Sequence, residues 1–134
     1  MTHVFPISDG YVIGSCVRHI PLAGRDITRF ITNMLKERGE KFPAEEGMEI
    51  GAKIKERYGY CCKDVVQEFK KFDQKKMDES GKISQSSKFK KYTHTTQGGD
   101  KLEIDVGYES FLGPEMFFHP VSLLTFNEIG IHPF

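Results

Sequence analysis

Five apolar residues, Ile27, Phe30, Ile31, Met34 and Leu35, fall at i, i+3, i+4, i+7 and i+8. At helical periodicity that spacing lays them along one stripe, whereas a strand would scatter them over both of its faces. Asp26 stands in the first turn, where a carboxylate suits the positive end of the helix dipole. Lys36 and Arg38 stand in the last turn, and Gly39 follows as a C-cap. The chain therefore contains at least one amphipathic helix with defined ends.

The segment before it has a different period. Val4-Phe5-Pro6-Ile7 and Tyr11-Val12-Ile13-Gly14 flank Ser8-Asp9-Gly10. Asp-Gly between apolar runs predicts a β-hairpin over 2–22, since the glycine tolerates positive φ. Pro6 cannot donate to a ladder, so the first strand lies at an edge or ends there. A second helix is predicted after Phe42-Pro43, with Glu45 and Glu46 at its start. Its weaker apolar face is marked by Met48, Gly51 or Ala52, Ile54 and Tyr58. A third helical segment over 64–72 carries Val65, Val66, Phe69 and Phe72 on one side.

Residues 73–88 lose apolar content and read as a flexible surface loop. Their carboxylates are not spaced as calcium ligands. Phe89 to Thr95 and Leu102 to Val106 form a second predicted hairpin, turned by Gly98-Gly99-Asp100. Gly113-Pro114-Glu115 opens a short predicted helix carrying Met116, Phe117 and Phe118. There is no internal repeat. Helices and hairpins of this kind within 134 residues predict a single α+β domain at most.

The charge balance, 19 basic against 19 acidic residues, argues against a general grip on nucleic acid or an anionic membrane. The stretches Lys70-Lys71, Lys75-Lys76 and Lys88 to Lys91 are diluted by acidic neighbours and read as solvated faces. Three cysteines, Cys16, Cys61 and Cys62, make neither a disulfide framework nor a C-x-x-C zinc motif. Reduced thiols in a cytosolic chain are expected. No basic-then-apolar leader opens the sequence, and no apolar run is long enough to cross a membrane.

Catalytic signals are sparse. There is no G-x-x-x-x-G-K phosphate loop. Glu45-Glu46 and Asp78-Glu79 read as helix-start and loop carboxylates. His19 and His119 read as packing residues, and His94 and His132 have no metal-like spacing with a carboxylate or thiol. Taken alone, Lys55-Glu56 is an ordinary exposed helix pair. The residues by themselves stop at a soluble cytosolic α+β domain.

Several blocks go further. Gly10-Tyr11 leads to Leu22-Ala23-Gly24-Arg25-Asp26, and Ile54-Lys55-Glu56-Arg57-Tyr58 follows. Ile104-Asp105-Val106-Gly107-Tyr108-Glu109 is succeeded by Phe111-Leu112-Gly113-Pro114-Glu115 and by Phe117-Phe118-His119-Pro120. These blocks resemble the actin family. The later ones, with Gly14-Ser15-Cys16 and His19-Ile20-Pro21, are more similar to its filament-nucleating, actin-related branch than to conventional actin.

The resemblance implies a fragment of the actin fold. Residues 1–120 form an actin-like partial domain, with 2–22 as a β-hairpin of subdomain 3 and 23–118 as most of subdomain 4. Residues 121–134 are a divergent apolar tail, expected to cover an exposed sheet or to pair with another copy. The resemblance also implies that residue 2 follows the family's second phosphate-binding loop, so the machinery for phosphates and metal is expected to be missing. Gly24, Lys55 and Glu56 match the family residues on the purine and ribose side of the ATP cleft. His3 matches a histidine near the attacked phosphate, and no catalytic role is expected for it here.

The resulting expectation is a truncated cytoskeletal protein that is not an enzyme. It is expected to bind actin or subunits of the actin-nucleating complex, with at most weak residual ATP binding, Mg2+ accompanying the nucleotide if it binds, and no hydrolysis. The alternatives are a small stand-alone ATP-binding protein and a self-associating module joined through a sheet edge or the tail.

Overall fold

The computed structural model describes residues 1–73, 76–77, 83–84 and 88–119. Asp78-Glu79, His132 and the 121–134 tail lie outside the described residues.

The first 22 residues form a long hairpin in two ladder segments. Strand β1 (Thr2–Val4) and the later β4 (Arg18–Ile20) pair antiparallel, with Thr2 opposite Ile20, His3 opposite His19 and Val4 opposite Arg18. Between them, β2 (Ile7–Ser8) pairs with β3 (Tyr11–Val12). The connection is Asp9-Gly10 with φ of 50° and 81°. Two successive positive φ values are what a two-residue turn between right-twisted strands requires, and glycine supplies the second without a Cβ clash. Pro6 falls between the ladders. It has no N–H to give, but its carbonyl accepts the Ile13 N–H at 3.0 Å.

The helical lobe begins with α1 (Gly24–Glu37). The Asp26 carboxylate accepts the N–H of Ala23 at 3.0 Å, which fixes the helix entry. Ala23 has no side-chain acceptor, so only this half of a capping box forms. At the other end Gly39 N–H reaches Lys36 O at 3.0 Å and Glu40 N–H reaches Leu35 O at 3.1 Å, a Schellman cap. A 3-10 turn (Ala44–Glu46) leads into α2 (Gly47–Tyr58).

Strands β7 (Lys90–Thr95) and β8 (Lys101–Val106) form the second hairpin, with Tyr92 opposite Ile104 and His94 opposite Leu102. Its alternation turns Tyr92, His94, Ile104 and Val106 inward. Ile27, Ile31 and Leu35 of α1, Ile50 and Ile54 of α2, and Tyr92, Ile104 and Val106 form one buried cluster. Two helices thus cover one face of a two-stranded ribbon.

Helices α1 and α2 meet at a seam of small residues. The Thr32 hydroxyl shares its single proton between Thr28 O and Gly47 O, both at 2.9 Å. A Cβ on Gly51 would stand 2.3 Å from Thr32 Oγ1 and 2.9 Å from Thr28 O, so glycine permits this approach.

The remaining elements pack around aromatic rings. Helix α3 (Val65–Asp73) is capped by Asp64, whose carboxylate accepts Val66 N–H at 2.9 Å and Gln67 N–H at 3.3 Å. Its Phe69 and Phe72 lie 5.1 and 5.3 Å, ring centre to ring centre, from Phe111 of α4 (Glu109–Glu115). Phe89 and Tyr108 close the cluster.

Several sequence expectations are corrected. The last helix starts at Glu109, so Pro114 lies inside it rather than opening it. The Ser110 carbonyl, which a non-proline residue at 114 could have bonded, accepts the N–H of Tyr60 at 3.0 Å instead. Met48 is 37% exposed, because the buried side of α2 runs through Ile50, Gly51 and Ile54. Val66 is 62% exposed, since the face of α3 follows Phe69 and Phe72. Met116 is buried as expected for an anchored helix end, but Phe117 and Phe118 are exposed. Within the predicted 73–88 loop, β5 (Lys76–Met77) and β6 (Ile83–Ser84) pair antiparallel, a contact that composition cannot signal.

Candidate functional site

The first residue of α1 and the last turn of α2 meet at one point. Lys55 Nζ donates to Gly24 O at 3.0 Å and to Thr28 Oγ1 at 2.9 Å. The Thr28 hydroxyl in turn donates to Gly24 O at 2.9 Å. Three groups, one cationic, close a small triangle over the α1–α2 seam. A Cβ on Gly24 would lie 3.4 Å from the ammonium, so the lysine reaches the backbone without hindrance.

Glu56 does not join this triangle. Successive helical residues point about 100° apart. Glu56 therefore lines an open groove on the neighbouring side, with Lys53, Arg57, Tyr92 and Thr93. In that groove the Arg57 guanidinium stands 6.0 Å from the Tyr92 ring centre. Lys53 is paired with Glu49 at 2.6 Å, a hydrogen bond that raises the lysine pKa and lowers that of the carboxylate. Of the three residues singled out in the sequence, the structure brings Gly24 and Lys55 together and sets Glu56 beside them on another face.

A second polar cluster was not anticipated. His94 Nε2 lies 2.7 Å from Glu46 Oε2, and its Nδ1 lies 3.3 Å from the Tyr92 hydroxyl. Glu46 Oε1 accepts the N–H of Gln97 at 3.1 Å. His94 and Glu46 are both buried. Glu46 is thus a tie between the start of α2 and β7 rather than an exposed helix-start carboxylate. The available signal was the inward position of His94, two residues after Tyr92 on the same strand face.

Arg38 anchors the opposite end of α1. Its Nη1 stands 3.3 Å from Glu109 and its Nη2 3.4 Å from Glu40; the latter also donates to the carbonyl of Asp105. Nη1 lacks hydrogen-bond geometry to Glu109, so that attraction is coulombic. Glu109 Oε2 accepts Gly107 N–H at 2.9 Å. Burial raises the Glu109 pKa, and the Arg38 charge opposes the shift. Burial and a hydrogen bond to Asp73 push the Tyr108 hydroxyl up to about 12.

Nucleophile chemistry finds little support. Burial and the neighbouring Glu115 push the Cys62 thiol up, away from the thiolate a nucleophile needs. His119 is held by Glu115 at 2.7 Å, and His3 by His19, with Nδ1 atoms 2.6 Å apart. Among the described residues, no three or more His, Cys, Asp or Glu side chains gather to hold a metal. No helix among them is long and apolar enough to cross a membrane.

Comparison with known proteins places this geometry in a family. The chain is 49% identical over 121 residues to human (Homo sapiens) actin-related protein 3C, covering 90% of this chain and 53% of that protein. It is 49% identical over 118 residues to actin-related protein 3 of Acanthamoeba castellanii, covering 87% of this chain and 26% of the relative. Against actin-related protein 3 of Oryza sativa subsp. indica it is 48% identical over 119 residues, 89% of this chain and 26% of the relative. The chain therefore spans between a quarter and about half the length of these relatives. They bear out the sequence reading toward the actin-related branch, and specifically toward actin-related protein 3. The family's sequence model, described as Actin, matches residues 1–130, a span that takes in part of the 121–134 segment. The chain belongs to the actin family, and its mixed helices and small sheets are an α+β portion of the actin fold.

Proposed function

We propose that this chain is a cytoplasmic, cytoskeletal actin-related protein that works by binding rather than by catalysis. Its partners are actin or subunits of an actin-nucleating complex. The observation that carries this reading is the 1–22 hairpin, which presents Val4, Phe5, Ile7, Tyr11, Val12 and Ile13 to solvent. An apolar surface of this kind marks a protein contact. Residues 2–22 serve as a subdomain 3 hairpin and 23–118 as a subdomain 4-like lobe, with 121–134 as a separate tail.

Nucleotide contact is a weaker, secondary property. Gly24, Lys55 and Glu56 would face the base and ribose of ATP. The Lys55 stem can cover a purine, and the Glu56 carboxylate, exposed in its groove, can accept a ribose hydroxyl. Binding would first have to draw the Lys55 ammonium away from Gly24 and Thr28, or use it where it stands. Mg2+ would accompany the phosphates, since the described residues offer no convergent set of ligands for it. Hydrolysis is not assigned, because His3 is engaged with His19.

Titration calorimetry with Mg-ATP and light scattering in the same buffer test these readings. Saturable binding lost in Lys55→Ala supports the base-side contact. Retention of the chain by actin or by nucleating-complex subunits, lost when Tyr11 and Ile7 become serine, supports the partner reading. Mass that rises with concentration and loses that rise in the same variant would assign the hairpin to self-association, the second reading its exposed face favours. Phosphate release above the buffer rate would overturn the non-catalytic assignment.

A further inference from the structure

We propose that His3 and His19 form a two-imidazole site for a divalent transition metal ion of the Ni2+, Cu2+, Zn2+ group. The antiparallel register of β1 and β4 sets the two residues directly opposite one another. Their Nδ1 atoms converge to 2.6 Å, with ring centres 4.8 Å apart and planes at 85°. Both residues are exposed to solvent. The Thr2 hydroxyl ties the start of β1 to Leu22 O at 2.5 Å, which holds the ladder beside the pair.

The remaining described histidines differ in kind. His94 is buried against Glu46 and His119 is held by Glu115. Only His3 and His19, among the described residues, have another imidazole as partner. Their contact is an N–H···N hydrogen bond, with the proton on one Nδ1 and the lone pair of the other facing it. Neutral imidazole can carry its proton on either nitrogen. Moving that proton to Nε2 turns both Nδ1 lone pairs toward one point, and no proton is lost from the pair.

Distances fit an ion with a small adjustment. With metal–nitrogen bonds of about 2.05 Å, a right-angle pair of nitrogens lies about 2.9 Å apart and a tetrahedral pair about 3.3 Å apart. From 2.6 Å, the two nitrogens would separate by about 0.3 Å for the right-angle pair and about 0.7 Å for the tetrahedral one. Imidazole suits these borderline ions, and two ligands leave the other positions to water, so the site is an open chelate rather than a closed structural cage. Arg18, the cation next to His19 in the chain, is turned to the carbonyls of Ser15 and Val17. The ion would clip β1 to β4 in the part of the molecule that has no buried core.

The test is a Zn2+ titration of the full, untagged chain, followed by imidazole 15N spectra. The Nδ1 signals of His3 and His19 should shift together and saturate at one ion per chain, with those of His94 and His119 unmoved. His3→Gln and His19→Gln should each weaken binding roughly a hundredfold, the gain expected from joining two weak ligands on one scaffold. Cys16→Ser, which removes the exposed thiol on the same hairpin, should leave the titration unchanged. No shift at millimolar Zn2+, equal affinity in His3→Gln, or loss of binding in Cys16→Ser would each overturn the proposal. The spectra of the unmodified chain decide the matter even where a variant disturbs the hairpin.

Discussion

The hairpin over 1–22 and the lobe over 23–119 both pair backbone in regular elements but bury very different amounts of side chain. In the hairpin two ladders and a turn of matching handedness pair the backbone, yet only Leu22, at its end, is buried, and Tyr11 is 80% exposed. In the lobe Ile31, Leu35, Ile50, Ile54, Ile104 and Phe111 are fully enclosed. An isolated two-stranded hairpin is marginal in water, because hydrogen bonds to solvent replace those within it at little cost. Burial has no such substitute. The ladder therefore specifies the hairpin's shape, and the core supplies the lobe's stability.

The sharpest way to break this contrast is to cut the lobe's core. Phe111→Ala should cost about 3–5 kcal/mol, since the ring is fully buried among Tyr60, Phe69 and Phe72. Chemical denaturation should show that loss as a lower midpoint. A denaturation curve unchanged by Phe111→Ala would mean that the aromatic cluster is not part of the cooperative unit.

Next in size is Arg38→Ala, which strands Glu109 in a buried position. A loss of roughly 2–3 kcal/mol is expected, reduced from the fully buried case because the Arg38 side chain is 23% exposed. The sign with pH follows from the raised Glu109 pKa. The folded chain holds the proton more tightly than the unfolded one, so Glu109 withdraws stability as pH rises through its folded pKa. Removing Arg38 enlarges that penalty at neutral pH. The gap between Arg38→Ala and the double variant with Glu109→Gln should therefore narrow as pH falls. A gap that stays constant between pH 4 and 7, values chosen on the ordinary carboxylate scale, would remove Glu109 as its cause.

Gly51→Ala should cost about 1–3 kcal/mol, because the new methyl meets Thr32 Oγ1 and the Thr28 carbonyl and pushes α1 from α2. The same shift should lengthen the Lys55 contact with Gly24, which amide exchange at the start of α1 would report.

The smallest effects belong to the hairpin. Gly10→Ala forces a Cβ into a φ of 81° and should cost about 1 kcal/mol locally. Amide protection at Ile7 to Val12 should fall while the global midpoint stays put. Tyr11→Ser should shift global stability by less than about 0.5 kcal/mol. A hairpin substitution that lowered the midpoint as much as Phe111→Ala would erase the distinction between the two regions.

The polar contacts were the least readable from sequence. Lys55 and Gly24 were named through a family resemblance, yet the hydrogen bond joining them spans 31 residues and depends on how α1 crosses α2. Glu46 and His94 are 48 residues apart, and each has an ordinary local explanation, as a helix-start carboxylate and a strand histidine. Pro114 looked like a helix start because proline favours first turns. Its tolerance inside α4 became visible only once Tyr60 was seen to take the freed carbonyl.

What the sequence determined by itself was local. The stripe from Ile27 to Leu35, the Asp9-Gly10 turn, the Asp64 cap and the alternation of the second hairpin act between residues a few positions apart, where backbone geometry leaves few choices. It also carried the family, because identity over most of the chain survives without any knowledge of contacts. Tertiary structure decided which face of α2 is buried, how Glu46 meets His94 and how Arg38 meets Glu109. Those outcomes depend on helix crossing and strand packing, in which residues far apart in the chain compete for the same space.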